Sequence, residues 1–157
     1  MDILHQAALA LGLVWMAWIA VCDFRTLKIR NMDVLILSVI GLVAVASDPD
    51  GQWKSSLIVA IVLFAFSFAL WSASMIGAGD AKFYFPLGLM VGLSGVGLYV
   101  VFLLITSVGF LILLRIEAGR PPGGGAFRRR MAEIAETRRV PYGVPMAISG
   151  ILAVLFA

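Results

Sequence analysis

The chain has 157 residues, of which 62% are hydrophobic and 13% are charged, and its formal net charge is +3 at pH 7. This balance excludes an ordinary water-soluble enzyme or binding module, because soluble domains carry far more charge and less apolar surface. The apolar residues also form runs of about 13 to 20, separated by short polar segments, as expected of helices in a bilayer. We therefore expect an all-α integral membrane protein.

The apolar runs predict about six transmembrane helices within one membrane-embedded domain that spans residues 1–157. In chain order, the predicted spans cover residues 3–21, 34–46, 57–75, 83–91, 96–114 and 144–156. Turn-forming residues separate several of them, notably residues 47–51 after the second span and residues 92–95 between the fourth and fifth.

Lysine and arginine are unevenly distributed between the two sides of such a bundle. With six spans, all but one of the 12 basic residues fall in loops on one side, and Lys54 alone lies on the other. The positive-inside rule then places the basic side in the cytoplasm and both termini outside.

The longest cytoplasmic segment is a basic loop over residues 115–140. Its Pro- and Gly-rich part, residues 121–125, indicates a flexible joint. Residues 126–139 instead predict a short, basic amphipathic helix on the inner leaflet, which acts either as an orientation anchor or as a contact for substrate or a partner. Its apolar positions recur at helical spacing between arginines and glutamates: Phe127, Met131 and Ile134.

Two aspartates are the main candidates for chemistry. The topology places Asp23 and Asp80 on the cytoplasmic side, each where an apolar span meets a polar loop, and therefore at the same depth. A carboxylate at the edge of the hydrocarbon is costly to keep ionised, so such residues usually face the bundle interior or a water-filled cavity. Two carboxylates that meet share a proton, which is the working state of an aspartic peptidase.

The neighbouring residues leave two explanations open. Both aspartates can simply end helices and pair with nearby cations, the first with Arg25 and the second with Lys82. Gly77 and Gly79 instead favour a site, since they remove side chains just before Asp80 and let a substrate backbone approach. Close helix packing is the other explanation of the same two glycines.

Three stretches of the sequence resemble the type IV prepilin peptidases. Residues 77–82, Gly-Ala-Gly-Asp-Ala-Lys, resemble the Gly-X-Gly-Asp-X-Lys motif of that family. Residues 23–31 resemble its first aspartate segment, and residues 141–147 resemble the stretch before its last helix. The stretches follow one another in the family's order, so the resemblance covers essentially the whole chain and implies a six-helix membrane fold.

The resemblance also implies an activity and its residues. By this resemblance we expect an aspartic endopeptidase that hydrolyses the peptide bond after the basic leader of Flp-like type IV prepilins. The implied place of the reaction is the cytoplasmic edge of the bacterial inner membrane. The implied catalytic pair is Asp23 and Asp80, and the supporting motif residues are Gly77, Gly79 and Lys82.

Larger members of that family carry a four-cysteine zinc segment and also N-methylate the new pilin terminus. Cys22 is the single cysteine here, so this chain resembles the short, peptidase-only form found in tight-adherence (Flp) pilus systems. We expect no metal, no cofactor and no nucleic-acid partner; the expected partners are the prepilin substrate and the lipid bilayer.

The sequence departs from the family's pattern at one position, and two other functions are compatible with its motifs. The family's first motif usually ends Ile-Pro-Asn, whereas this sequence has Arg30 in place of the proline. A presenilin-type protease normally has tyrosine before its first aspartate, where this chain has Cys22. The non-enzymatic alternative is a small membrane transporter or pilus-assembly scaffold, in which the two carboxylates relay protons or hold helices together.

Overall fold

The computed structural model describes residues 3–118, 125–137 and 140–157, and these residues form helices joined by short loops, with no β-strand among them. In chain order the helices are α1 (Ile3–Thr26), α2 (Asn31–Ala46), α3 (Trp53–Ser72), α4 (Ala78–Ala118), α5 (Ala126–Thr137) and α6 (Gly143–Phe156). The predicted all-α class is confirmed. The joint predicted at residues 121–125 lies, except for Gly125, outside the described residues.

The helices differ in whether they are long enough to cross a membrane. Among the described residues, α1, α3 and α4 are long and apolar enough to do so, by length and composition. The two shorter apolar helices are α2 and α6. This set fits an integral membrane protein, while the number of six spans stays a prediction.

Two of the predicted boundaries were wrong. The turn predicted at residues 92–95 is reduced to Gly92, whose φ of 63° and ψ of −173° interrupt α4. Glycine adopts this conformation without steric cost, so a single residue replaces the turn, and helix resumes at Leu93. The first predicted span ended at Val21, whereas α1 continues to Thr26, so Asp23 lies inside a helix.

The first part of α4 is the centre of the bundle. Its residues 86–91 are all buried, and α4 packs against α2, α3 and α6. An added Cβ at Gly88 would lie 2.4 Å from the Cα of Ala60 on α3, so the small residue is what allows these two helices to approach. This tightly packed segment carries Asp80 at its beginning.

The amphipathic helix predicted at residues 126–139 is present as α5 over residues 126–137, and residues 138 and 139 lie outside the described residues. Its buried apolar side chains contact protein. Met131 and Ile134 are fully buried and pack in a cluster with Leu114. The same cluster includes Phe24 and Leu27, at the end of α1. The helix therefore docks on protein, because the ends of α1 and α4 offer it an apolar surface, and it does not lay these two residues on the leaflet.

Candidate active site

Asp23 and Asp80 line the same cavity, which has a volume of about 500 Å³. Asp23 comes from the last turn of α1 and Asp80 from the first turn of α4. The other lining residues come from the loop before α2, the start of α4 and the segment before α6: Leu27, Lys28, Ile29, Arg30, Asn31, Gly77, Ala78, Gly79, Val140 and Tyr142. Parts of all three motif stretches are therefore adjacent in space.

Asp23 is buried, with 4% of its surface exposed. Its carboxylate lies against the first turn of α6, where the backbone N–H groups of Gly143 and Val144 interact with it. Its Oδ2 atom is buried and makes no hydrogen bond. The charge of Asp80 acts on the same carboxylate, so the two groups are close enough to influence one another.

Asp80 has a more local environment. It lies in the first turn of α4, at the positive end of the helix dipole, where a carboxylate is favoured. Its carboxylate accepts a hydrogen bond from the backbone N–H of Gly77, three residues earlier. This is half of a capping box, in which a side chain in the first turn satisfies a free N–H at the helix start.

The two motif glycines make room for groups of the protein itself. An added Cβ at Gly77 would lie 3.0 Å from Oδ2 of Asp80. At Gly79 it would lie 3.3 Å from Cβ of Ile29, in the loop before α2. Gly79 thus lets the second aspartate segment pack closely on the first, as in the packing explanation left open by the sequence, whereas Gly77 leaves room for the carboxylate of Asp80.

The cations next to the aspartates do not pair with them. Among the described residues, neither Asp23 nor Asp80 takes part in an ion pair. Lys82 instead donates a hydrogen bond from Nζ to Oδ1 of Asn31, at 3.0 Å. The alternative of helix-end ion pairs with Arg25 and Lys82 is therefore wrong, and Lys82 ties the two aspartate segments together.

Arg30 replaces the usual proline without disturbing the loop. Its φ of −77° and ψ of 142° are values that proline adopts as well. Its guanidinium makes two hydrogen bonds to the carboxylate of Asp33, at 2.9 and 3.1 Å. Asp33 is only 2% exposed, so the pair satisfies a buried carboxylate at the start of α2.

Gly143 and Tyr142 are site residues to which the sequence assigned no role. An added Cβ at Gly143 would lie 2.8 Å from Oδ2 of Asp23 and 2.9 Å from Cδ1 of Ile29. Tyr142 lines the cavity itself. The available signal was the third motif stretch, which contains both residues, but nothing in the sequence shows that it lies against Asp23.

The described residues contain no group of three or more His, Cys, Asp or Glu side chains that could hold a metal ion. The cavity offers two carboxylates, with the backbone N–H groups of Gly143 and Val144 next to Asp23. Its lining also includes four other polar side chains: Lys28, Arg30, Asn31 and Tyr142.

The model of a family described as the type IV leader peptidase family, Peptidase_A24, matches residues 10–114, about two thirds of the chain. The match includes both aspartates and ends before α5. Neither a curated protein nor a solved structure matches the chain.

Proposed function

Since this chain belongs to the type IV leader peptidase family, we propose that it is an aspartic endopeptidase that removes the leader of type IV prepilins. The family itself consists of peptidases. The observation that carries the two-aspartate assignment is that Asp23 and Asp80, from different helices, line one cavity.

The proposed reaction is hydrolysis by general acid and base. Two carboxylates on one cavity share a proton, because two adjacent negative charges repel. The ionised carboxylate takes a proton from water as the water oxygen attacks the peptide carbonyl carbon, and the protonated one donates to the carbonyl oxygen. When the tetrahedral intermediate collapses, the C–N bond breaks and the leaving amine takes the proton that the first carboxylate accepted from water, while a hydroxyl proton returns to the second carboxylate.

The proposed substrate is a Flp-like prepilin with a basic leader in the cytoplasm and an apolar segment in the bilayer. The proposed location is the inner membrane, with the cavity facing the cytoplasm. Support comes from the basic residues, which fall on the side of the two aspartates if six segments span the membrane. The break at Gly92 supports that arrangement, because it divides α4 into two stretches.

The test is cleavage of a candidate prepilin in membranes that carry wild type, Asp23→Ala or Asp80→Ala protein at matched expression. Asp50→Ala is the matched control, since Asp50 is an exposed aspartate outside this cavity. We expect each site variant to lose at least about 1,000-fold in rate and the control to cut as wild type does. Cleavage by both site variants at the wild-type rate would instead favour a scaffold or transporter.

A further inference from the structure

The helix α5 contacts the end of α1 next to Asp23. The Nε of Arg130 donates a hydrogen bond to the backbone carbonyl oxygen of Phe24, at 2.9 Å, across 106 positions of sequence. The last carbonyls of a helix have no partner within it, and a cation there is favoured by the helix dipole. Arg130 therefore supplies the end of α1 with a donor and a positive charge, one residue beyond Asp23.

Apolar contacts strengthen the same junction. The ring of Phe127 stacks on that of Phe24, with centroids 5.4 Å apart and an interplanar angle of 18°. Met131 and Ile134 are buried in the cluster that includes Leu27. The helix thus holds both Phe24, the residue after Asp23, and Leu27, the first residue after α1.

The other side of α5 is tied to the end of α4. The Nε of Arg128 lies 3.1 Å from Oε2 of Glu117, which is buried. Arg130 also binds Glu133 within α5, at 2.9 Å, which orients its guanidinium. The helix therefore bridges α4 and the end of α1.

Leu27 links this junction to the rest of the cavity. Its φ is +55°, an unfavourable conformation for a residue with a side chain. Its N–H donates to the carbonyl of Asp23, at 2.7 Å, and its side chain packs in the α5 cluster. The turn at Leu27 leads to Ile29, whose side chain fills the space that a Cβ at Gly79 or at Gly143 would need.

We propose that α5 is a positioning element of the active site, in which Arg130 holds the end of α1 so that Asp23 faces Asp80. This inference deepens the proposed function and rests on it. It gives α5 a role other than membrane anchoring, and it makes Arg130 a positioning residue that acts through the carbonyl of Phe24 without touching substrate.

The kinetic test compares Arg130→Ala with Arg129→Ala in the full-length protein. Arg129 is the neighbouring, exposed arginine of the same helix, so both variants lose the same charge. For Arg130→Ala we expect kcat for prepilin cleavage to fall about 10- to 100-fold, with KM changed by less than about 2-fold, because a misplaced carboxylate affects the chemical step. Arg129→Ala should stay within about 2-fold of wild type, and Arg130→Lys, which keeps a donor and the charge, should recover part of the loss.

A second readout is independent of activity. Hydrogen exchange of the peptide that covers residues 23–31 should be faster in Arg130→Ala than in Arg129→Ala, while exchange in the first part of α4 stays at the wild-type level and shows that the fold is intact. If wild type cuts no prepilin, the proposed function fails, yet this comparison still tests the positioning.

Three results would overturn the proposal. Equal losses in the two alanine variants would mean that only the charge of α5 matters, as for an anchor on anionic lipid. A raised KM with unchanged kcat would make α5 a substrate contact. Unchanged exchange in residues 23–31 of Arg130→Ala would show that Arg130 does not hold the end of α1.

Discussion

Asp23 and Asp80 both present a carboxylate to the cavity, but Asp80 is held by residues close to it in sequence and Asp23 by residues far from it in sequence. Asp80 begins a helix, at the favourable end of the dipole, and takes its hydrogen bond from Gly77, three residues away. Asp23 lies near the carbonyl end of α1, where a negative charge is disfavoured. Its neighbours, Gly143 and α5, come from more than 100 residues later.

Asp80 is therefore positioned by local contacts, whereas Asp23 is positioned by contacts between distant segments. The position of Asp80 depends on its own motif and on the buried first part of α4. The position of Asp23 depends on whether α5, α6 and the loop before α2 all dock correctly. Substitutions far along the chain should therefore affect Asp23 strongly, whereas Asp80 should respond mainly to its nearest residues.

Among the residues around the two aspartates, the largest effect is expected at Gly143. In Gly143→Ala the added methyl group collides with the Asp23 carboxylate and with Ile29, so kcat/KM for prepilin cleavage should fall about 100-fold. Gly97→Ala is the matched control, since an added Cβ there meets no atom within 4 Å. Equal activity of the two variants would show that the start of α6 does not support Asp23.

A smaller loss is expected at Gly77. Its added Cβ lies 3.0 Å from Asp80, so Gly77→Ala should shift that carboxylate and lower kcat/KM about 10-fold. A Cβ added at Gly79 lies no closer than 3.3 Å to Ile29, so Gly79→Ala should lower kcat/KM only about 3-fold. A larger loss in Gly79→Ala than in Gly77→Ala would mean that packing against residues 23–31 matters more than the hydrogen bond between Asp80 and the N–H of Gly77.

The link between the two segments should have a modest effect that is not additive. Lys82→Met and Asn31→Ala each remove the same hydrogen bond, and we expect each to lower kcat/KM about 3- to 10-fold. Because the bond is shared, the double variant should be no worse than the poorer single variant. Fully additive losses would show that Lys82 and Asn31 act separately.

The smallest effect is expected at Arg30. The φ and ψ angles of Arg30 already suit proline, so Arg30→Pro protein should cleave prepilin at a rate within about 3-fold of wild type. Arg30→Pro and Arg30→Ala both leave Asp33 without its partner. The proline variant should melt at the higher temperature, because proline restricts the unfolded chain. A lower melting temperature for proline would indicate strain in this loop.

The difference between local and long-range contacts also explains what the sequence could predict. The motif around Asp80 is contiguous, so its glycines and Lys82 could be identified from the order of residues. The helical spacing of Met131 and Ile134 predicted α5 in the same way. The use of that helix could not be predicted, because periodicity shows that a face is apolar and does not show what covers it.

Long-range packing accounts for the other differences. The end of α1 was placed too early, since charged residues such as Arg25 are tolerated in a last helical turn. The contact between Gly143 and Asp23 joins residues that no local pattern relates. The sequence did not identify Asp33 as a buried carboxylate. Its partner Arg30 stands where the family usually has proline, which makes no ion pair, so the family's motif gives no sign of this pair.

The most direct test of the account is whether positions 23 and 80 face one another in the membrane. In a Cys22→Ser background, Asp23→Cys combined with Asp80→Cys should be joined by a short bifunctional thiol reagent in native membranes. The hydrogen-bonded pair Asn31→Cys and Lys82→Cys is the positive control, and Asp23→Cys with Asp48→Cys, which lines a different cavity, is the negative one. We expect the 23–80 pair to react as the positive control does. If it behaves as the negative control while the positive control reacts, the two aspartates do not share a cavity and the account is contradicted.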